Sequence, residues 1–152
     1  MSGYSDDTLT WAREQAALLR RLAEGERVND EVDWPNVIEE VESVGRSELR
    51  AVTSALRNAM QHKLYLIGWP NARAAAHWRV EVRIQLAEAA NDFHDSMRQD
   101  IERDLPGLYR LARLRAEAHV LDEEGPPSDT LPETCPWPLA ELLAEGRDEG
   151  RR

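Results

Sequence analysis

The chain is poor in the residues on which several protein classes depend. A single cysteine, Cys135, rules out an internal disulfide framework. Valine and isoleucine together number 13 of the 152 residues, too few to favour a β-sheet. No apolar run approaches the roughly 18 residues of a membrane span, and the first seven residues lack the basic and apolar parts of a secretory signal. We therefore expect a cytoplasmic protein without membrane contact.

Motifs of catalysis and cofactor binding are also missing. The sequence has no Gly-rich phosphate loop, no Gly-x-Ser-x-Gly elbow, no Cys-x-x-Cys pair and no His-Glu-x-x-His. None of the four histidines follows a carboxylate by three residues, as the Glu-x-x-His pairs of di-metal bundles require. The sequence therefore predicts no cofactor and no metal, assigns no catalytic residue, and favours a protein that is not an enzyme.

The charges that are present are distributed unevenly. The formal net charge is −10, from 19 basic and 29 acidic side chains. Residues 34–121 are neutral, whereas residues 1–33 carry −4 and residues 122–152 carry −6. The acidic total argues against nucleic acid as a partner, because phosphates require a basic surface. The acidic ends suit a basic protein partner instead.

Composition and periodicity predict an all-α fold. Ala, Leu, Glu and Arg, all good helix formers, supply 73 residues. A first helix is predicted from Asp6 or Asp7 to Ala23. A second, capped by Asp33 with Pro35 in its first turn, is predicted to end by Gly68. Its apolar stripe has 3–4 spacing and contains Trp34, Ile38, Val41, Gly45, Leu49, Val52, Leu56 and Ala59. At Gly45 the pattern allows either the close approach of another helix or a kink.

Two further long helices and one short helix complete the prediction. Asn71 is expected to cap a third helix whose stripe runs from Ala75 towards Met97, and a second apolar row, Val80 and Ile84, predicts that it lies centrally. In a fourth segment Pro106 either starts the main helix or kinks a longer one. A short helix is expected at about Leu139 to Ala144. The prediction is thus a single-domain bundle over residues 1–152 of four main helices plus a short C-terminal helix, with a Pro-rich acidic connection over 122–138 and frayed ends at about 1–5 and 146–152.

Three segments and a C-terminal motif carry a resemblance to a known family. They are Trp11 with Glu14-Gln15 and Leu18-Leu19; Asn36-Val-Ile-Glu-Glu-Val-Glu with Gly45-Arg-Ser-Glu48; Trp78-Arg79 with Arg83 and Gln85; and Leu131-Pro-Glu-Thr-Cys-Pro-Trp137. In this order they resemble the bacterial domain-of-unknown-function family twenty-nine, DUF29. One departure is Asp95-Ser-Met-Arg98, where members usually show a Ser-Pro-Ser-like turn. The resemblance implies a helical protein and assigns no activity.

The resemblance also marks candidate site residues, namely Glu39, Glu42, Arg46, His62, Trp78 and Arg83. Two interpretations stay open: a small-ligand or metal site, or enzyme, between helices two and three, and an internal ion-pair network between the same helices. For the protein as a whole we predict a non-enzymatic protein-interaction or regulatory module. Its partner is predicted to be a protein, with a basic surface or a second copy pairing through the long second helix.

Overall fold

The fold consists of α-helices. The structure, a computed structural model, describes residues 3–120, 125–127 and 129–151, without the side chains of residues 119 and 120. These residues contain no strand, and their helices are α1 Thr8–Ala23, α2 Trp34–Gly68, α3 Ala75–Asp92, α4 Arg98–Val120 and α5 Leu139–Glu149. The all-α prediction is confirmed. None of the described helices is both long and apolar enough to traverse a bilayer.

The chain forms two compact units whose boundary falls within α2, between Ser47 and Glu48. Each unit has its own cluster of buried apolar side chains. The single-domain organisation stays a prediction. Of the predicted connection 122–138, residues 125–127 and 129–138 are described and contain no helix, and the rest lies outside the described residues.

Helix α1 of the N-terminal unit begins and ends at the residues that the sequence predicts. The Asp7 side chain accepts a hydrogen bond from the Thr10 backbone N–H, which satisfies one of the free donors of the first turn. At the other end Gly25 adopts φ = 91°, and the N–H of Glu26 bonds to the carbonyl of Arg21. This is the left-handed helix ending that glycine permits without steric cost.

A small polar network joins α1 to the start of α2 within the N-terminal unit. The Trp11 indole N–H donates to the Asp33 carboxylate at 3.0 Å, and the Asn36 side-chain amide donates to the same carboxylate at 2.7 Å. The buried Gln15 amide oxygen accepts from the Asp33 backbone N–H at 2.8 Å. These donors hold the pKa of Asp33 below its ordinary value, the Asn36 bond contributing most. Asp33 thus fixes the beginning of α2, as its predicted capping role requires.

The C-terminal unit is built around the second part of α2 with α3, α4 and α5. Its fully buried side chains come from all four helices and include Val52, Leu56, Met60, Leu64, Leu86, Ile101, Tyr109, Leu142 and Leu143. Helices α3 and α5 approach closely at Gly146, where a Cβ would lie 2.0 Å from the Leu86 carbonyl oxygen. Helix α5 extends to Glu149, beyond the predicted end at Ala144. The fraying predicted for about residues 146–152 stays a prediction.

Helix α3 differs from its prediction in three respects. Its N-cap is Ala74 rather than Asn71, and it ends at Asp92 because Phe93 is extended. Its second apolar row is only partly buried, beside Glu149 of α5: Val80 is 46% exposed and Ile84 is 44% exposed. The second buried face from which a central position of α3 was predicted is therefore not found.

Pro106 lies inside α4, which begins at Arg98 after a short 3₁₀ turn at Asp95–Met97. The longer helix of the two alternatives is therefore the one that forms.

Hydrogen bonds hold segments of the connection between α4 and α5 against the helices. The Tyr109 hydroxyl donates to the Pro132 carbonyl at 2.6 Å, and the Trp69 indole N–H donates to the Gly125 carbonyl at 3.1 Å. These bonds position the chain that leads into α5.

Candidate functional site

The predicted site residues of the N-terminal unit form local ion pairs along α2. The Arg46 guanidinium pairs with the Glu39 carboxylate and, at 3.6 Å, with Glu42. All three side chains are at least half exposed, so each pair contributes little to the free energy of folding. The i,i+4 partnership of Glu42 and Arg46 is the one that helix spacing favours.

His62 and Trp78 lie in the C-terminal unit, where both contact the Tyr65 ring. His62 meets Tyr65 edge-on with centroids 5.4 Å apart, and Trp78 is tilted against it at 5.0 Å. The Nδ1 atom of His62 lies 2.8 Å from the Asn58 carbonyl oxygen, one turn earlier in α2. Trp78 is only 4% exposed. These contacts are those of packing residues, His62 near the end of α2 and Trp78 near the start of α3.

Arg83 pairs with a different helix from the one predicted. Its Nε atom lies 2.8 Å from a Glu149 carboxylate oxygen, so the ion pair joins α3 to α5. The ion pairs of Arg46 and Arg83 therefore do not form the predicted network between helices two and three. Among the described residues, no three His, Cys, Asp or Glu side chains group as metal ligands would. That the six candidate residues form a ligand site stays a prediction.

The first turns of α2 carry the most conspicuous surface of the N-terminal unit. Four large apolar side chains are exposed there: Trp34 to 38%, Ile38 to 54%, Val41 to 69% and Val44 to 61%. Their spacing places them along one side of the helix. We call these four residues the α2 stripe. Trp34, the first residue of the predicted apolar stripe of the second helix, lies on this surface, and its indole N–H donates to the Asn29 carbonyl at 3.0 Å.

A shallow groove of about 240 Å³ lies beside the α2 stripe, within the N-terminal unit. Its walls come from α1 and α2 and include Trp11, Ala16, Leu19, Val37 and Val41. Val41 belongs to both the groove and the stripe, so the two form one continuous apolar surface. Exposed apolar surface of this kind, bordered by polar side chains, marks interaction sites in folded proteins.

Carboxylates border this surface. Glu39, Glu40 and Glu42 alternate with the stripe residues in the sequence, and residues 1–47 as a whole carry five basic and eleven acidic side chains, a formal net charge of −6. The Tyr4 hydroxyl donates to the Glu40 carboxylate, a hydrogen bond that raises the pKa of Tyr4. This bond ties residue 4 to α2, in a stretch for which fraying was predicted.

Comparison with known proteins identifies the family. A family model described as "Domain of unknown function DUF29" matches residues 4–146. The chain belongs to the DUF29 family. A crystal structure of an α-helical protein of unknown function from Rhodospirillum rubrum is similar to it, with 29% sequence identity, a TM-score of 0.71 and coverage of 99% of this chain and 95% of that one. No curated protein matches the chain.

In this DUF29 protein the family motif and the exposed surface overlap in one segment. Asn36 to Glu42 carries the family resemblance and also contains Ile38 and Val41 of the α2 stripe. Periodicity predicted that Trp34, Ile38 and Val41 share a face and did not include Val44, and it does not report whether a face is covered. The signal that was available is the sequence Glu-Glu-Val-Glu, where three carboxylates adjoin the apolar positions and indicate a solvated surface.

Proposed function

We propose that this DUF29 protein is a protein-interaction module of the bacterial cytoplasm that binds a basic, amphipathic segment of a partner protein on the α2 stripe. The observation that carries the proposal is the exposure of four large apolar side chains in one helical row bordered by glutamates. A helix of the partner can pack its apolar face against this row while its basic residues contact the glutamates. Such a helix buries the exposed apolar side chains and complements the negative charge beside them.

Charge decides between a basic partner and a second copy of the chain. Two N-terminal units would meet with −6 on each side, a net charge that remains after Arg46 has paired with Glu39 and Glu42. Like charges brought together at an interface oppose association. A basic partner instead reduces this net negative charge. Pairing of two copies through α2 is thus the competing occupant of the same surface.

The expected affinity follows from the exposed fractions. Fully burying a valine or isoleucine side chain is worth about 2 kcal/mol, so covering the half-exposed stripe residues contributes about 1 kcal/mol each. The free energy gained from four such residues, from the groove beside them and from ion pairs at the border has to exceed the free energy cost of the lost translational and rotational freedom. A weak complex, formed and released readily, is the expected result.

The test uses the full chain and two synthetic helical peptides of equal length and hydrophobicity, one with Lys and one with Glu on its polar face. Binding is measured by fluorescence anisotropy of the labelled peptide. We expect the Lys peptide to bind, and V41E to weaken it at least tenfold because it removes apolar contact and places a charge in the stripe. L114E is the matched control, since Leu114 is 62% exposed on α4.

Three results would contradict the proposal. Equal binding of the Lys and Glu peptides would show that the glutamates do not select the partner. Equal affinity for V41E and L114E would place the contact elsewhere. Sedimentation equilibrium showing a stable dimer that V41E dissociates would assign the stripe to a second copy of the chain.

A further inference from the structure

A pocket of about 460 Å³ lies beside α4 in the C-terminal unit, remote in sequence from the α2 stripe. This volume is within the range of small-molecule sites. One wall is α4 and the other is the segment 133–138 that precedes α5. The apolar part of the lining consists of Leu105, Pro106, Tyr109, Pro136, Trp137 and Pro138.

The walls of this pocket are held in place before any ligand arrives. The Tyr109 hydroxyl bonds to the Pro132 carbonyl, and the Tyr109 and Trp137 rings meet edge-on with centroids 6.2 Å apart. The Cys135 thiol donates to the Trp137 carbonyl at 3.3 Å. Prolines on both sides of Trp137 restrict the backbone further. A ligand therefore binds without the cost of ordering a loop.

The polar groups of the lining are mainly hydrogen-bond acceptors. Glu102 and Glu133 contribute carboxylates, and among the described lining residues Arg110 is the one cationic side chain. Acceptors of this kind favour a ligand that donates hydrogen bonds and carries positive charge.

The aromatic rings favour the same ligand charge. The face of the half-buried Trp137 ring carries the negative part of the ring quadrupole and attracts cations, whereas Tyr109 is fully buried and supports Trp137 edge-on. Trp137 already shows this preference, since the Lys63 ammonium lies 5.3 Å from its ring centroid. The formal net charge of −10 further raises the concentration of cations near the chain.

We propose that this pocket binds a small organic cation, an amine with a flat apolar body, which the rings and prolines enclose and whose ammonium group Glu102 and Glu133 neutralise. The proposal is independent of the α2 stripe. Neither the family description nor the similar structure assigns a ligand to this chain.

The test compares three probes of nearly the same shape: 1-naphthylmethylammonium, neutral 1-naphthylmethanol and anionic 1-naphthoate. Cys135 lines the pocket and is the only cysteine of the chain, so its rate of reaction with a bulky aromatic disulfide reports occupancy of this pocket. Burial raises the pKa of the Cys135 thiol and lowers its thiolate fraction, so the reaction is followed at one fixed pH of about 8.5 for all three probes. The shift of the Trp137 indole N–H resonance gives a second readout.

We expect the ammonium probe to protect Cys135 at about fivefold lower concentration than the neutral probe, and the anionic probe to protect least. E102Q should remove most of that preference while leaving binding of the neutral probe unchanged. T134W fills the pocket from an exposed lining position and should abolish protection by all three probes, whereas T134A, its matched control, should not.

Each of the remaining outcomes would overturn the proposal. Absence of protection by every probe at millimolar concentration would show that the pocket takes no such ligand. Tightest binding of the neutral probe would show that the acceptors do not select charge. Tightest binding of the anion would assign the selection to Arg110. Protection that survives T134W would place the probe outside this pocket.

Discussion

Replacing Gly146 by alanine tests the contact between α3 and α5 directly. A Cβ at this position would lie 2.0 Å from the Leu86 carbonyl oxygen and 2.6 Å from the Leu86 carbonyl carbon. Real Cβ atoms do not approach other atoms within 3.0 Å, so α3 and α5 have to separate by about 1 Å. The obstructing atoms belong to a helix backbone and cannot rotate away as a side chain can.

The expected magnitude combines two opposing effects. Alanine is favoured over glycine in a helix interior by about 1 kcal/mol. Overpacking a close-packed contact costs up to about 3 kcal/mol. The net expectation for G146A is a loss of about 2 kcal/mol in the free energy of unfolding, and a fall in Tm of about 4–8 °C for a chain of this length.

Gly107 supplies the matched control within the same unit. It also lies in a helix interior, but a Cβ there would meet only the Arg110 Nη2 atom at 3.9 Å. G107A should therefore stabilise the protein by up to about 1 kcal/mol. Urea unfolding followed by circular dichroism at 222 nm measures both variants. If G146A unfolds at the same urea concentration as the wild type or a higher one, the close approach of α3 and α5 is refuted.

Three further predictions concern individual bonds. W69F should lower the free energy of unfolding by about 1–2 kcal/mol in urea titrations, because the Gly125 carbonyl loses its donor and the cavity left by the indole is not refilled; an unchanged midpoint would contradict this. K63M should lower the free energy of unfolding by about 1 kcal/mol even in 0.5 M NaCl, since the Lys63 side chain is only 16% exposed where it pairs with Glu145. R103M, at a 68% exposed position, should change the free energy of unfolding little. Equal effects of the two variants would refute the role of burial. The lowered pKa of Asp33 contributes stability that is fully present above the ordinary pKa of 3.8 and is lost as the pH falls through the lower pKa of the folded state. The Tm of the wild type should therefore fall more steeply than the Tm of D33N between pH 4 and 2. Parallel curves of Tm against pH would exclude this contribution.

The starts of α1 and α2 are predicted well because local chemistry decides where these two helices begin. Asp7 and Asp33 are capping residues whose side chains need only neighbouring N–H groups, and both lie at the predicted ends. The end of α5 was missed because it depends on a contact distant in sequence. Gly146, a helix terminator by local rules, is instead the residue that lets α5 meet α3 and continue.

The candidate surfaces show the same division between local and distant information. The sequence predicts that Trp34, Ile38 and Val41 form a row, but the exposure of this row depends on which elements pack nearby. The same limit applies to Val80 and Ile84, whose apolar character suggested a second buried face. The α4 pocket requires Tyr109 and Trp137 to meet across 28 positions of sequence, and no spacing rule connects them.

The chemistry of Lys63 has a practical consequence for cross-linking. It is the only lysine among the 152 residues, and its amine is engaged by the Glu145 carboxylate at 2.7 Å and 3.0 Å. Lysine acetylation consequently has one target in this chain, and that target is shielded. A cross-link between two lysines cannot form within one copy. Any lysine–lysine cross-link recovered from a purified sample must therefore join two molecules, which makes the reaction a specific reporter of self-association.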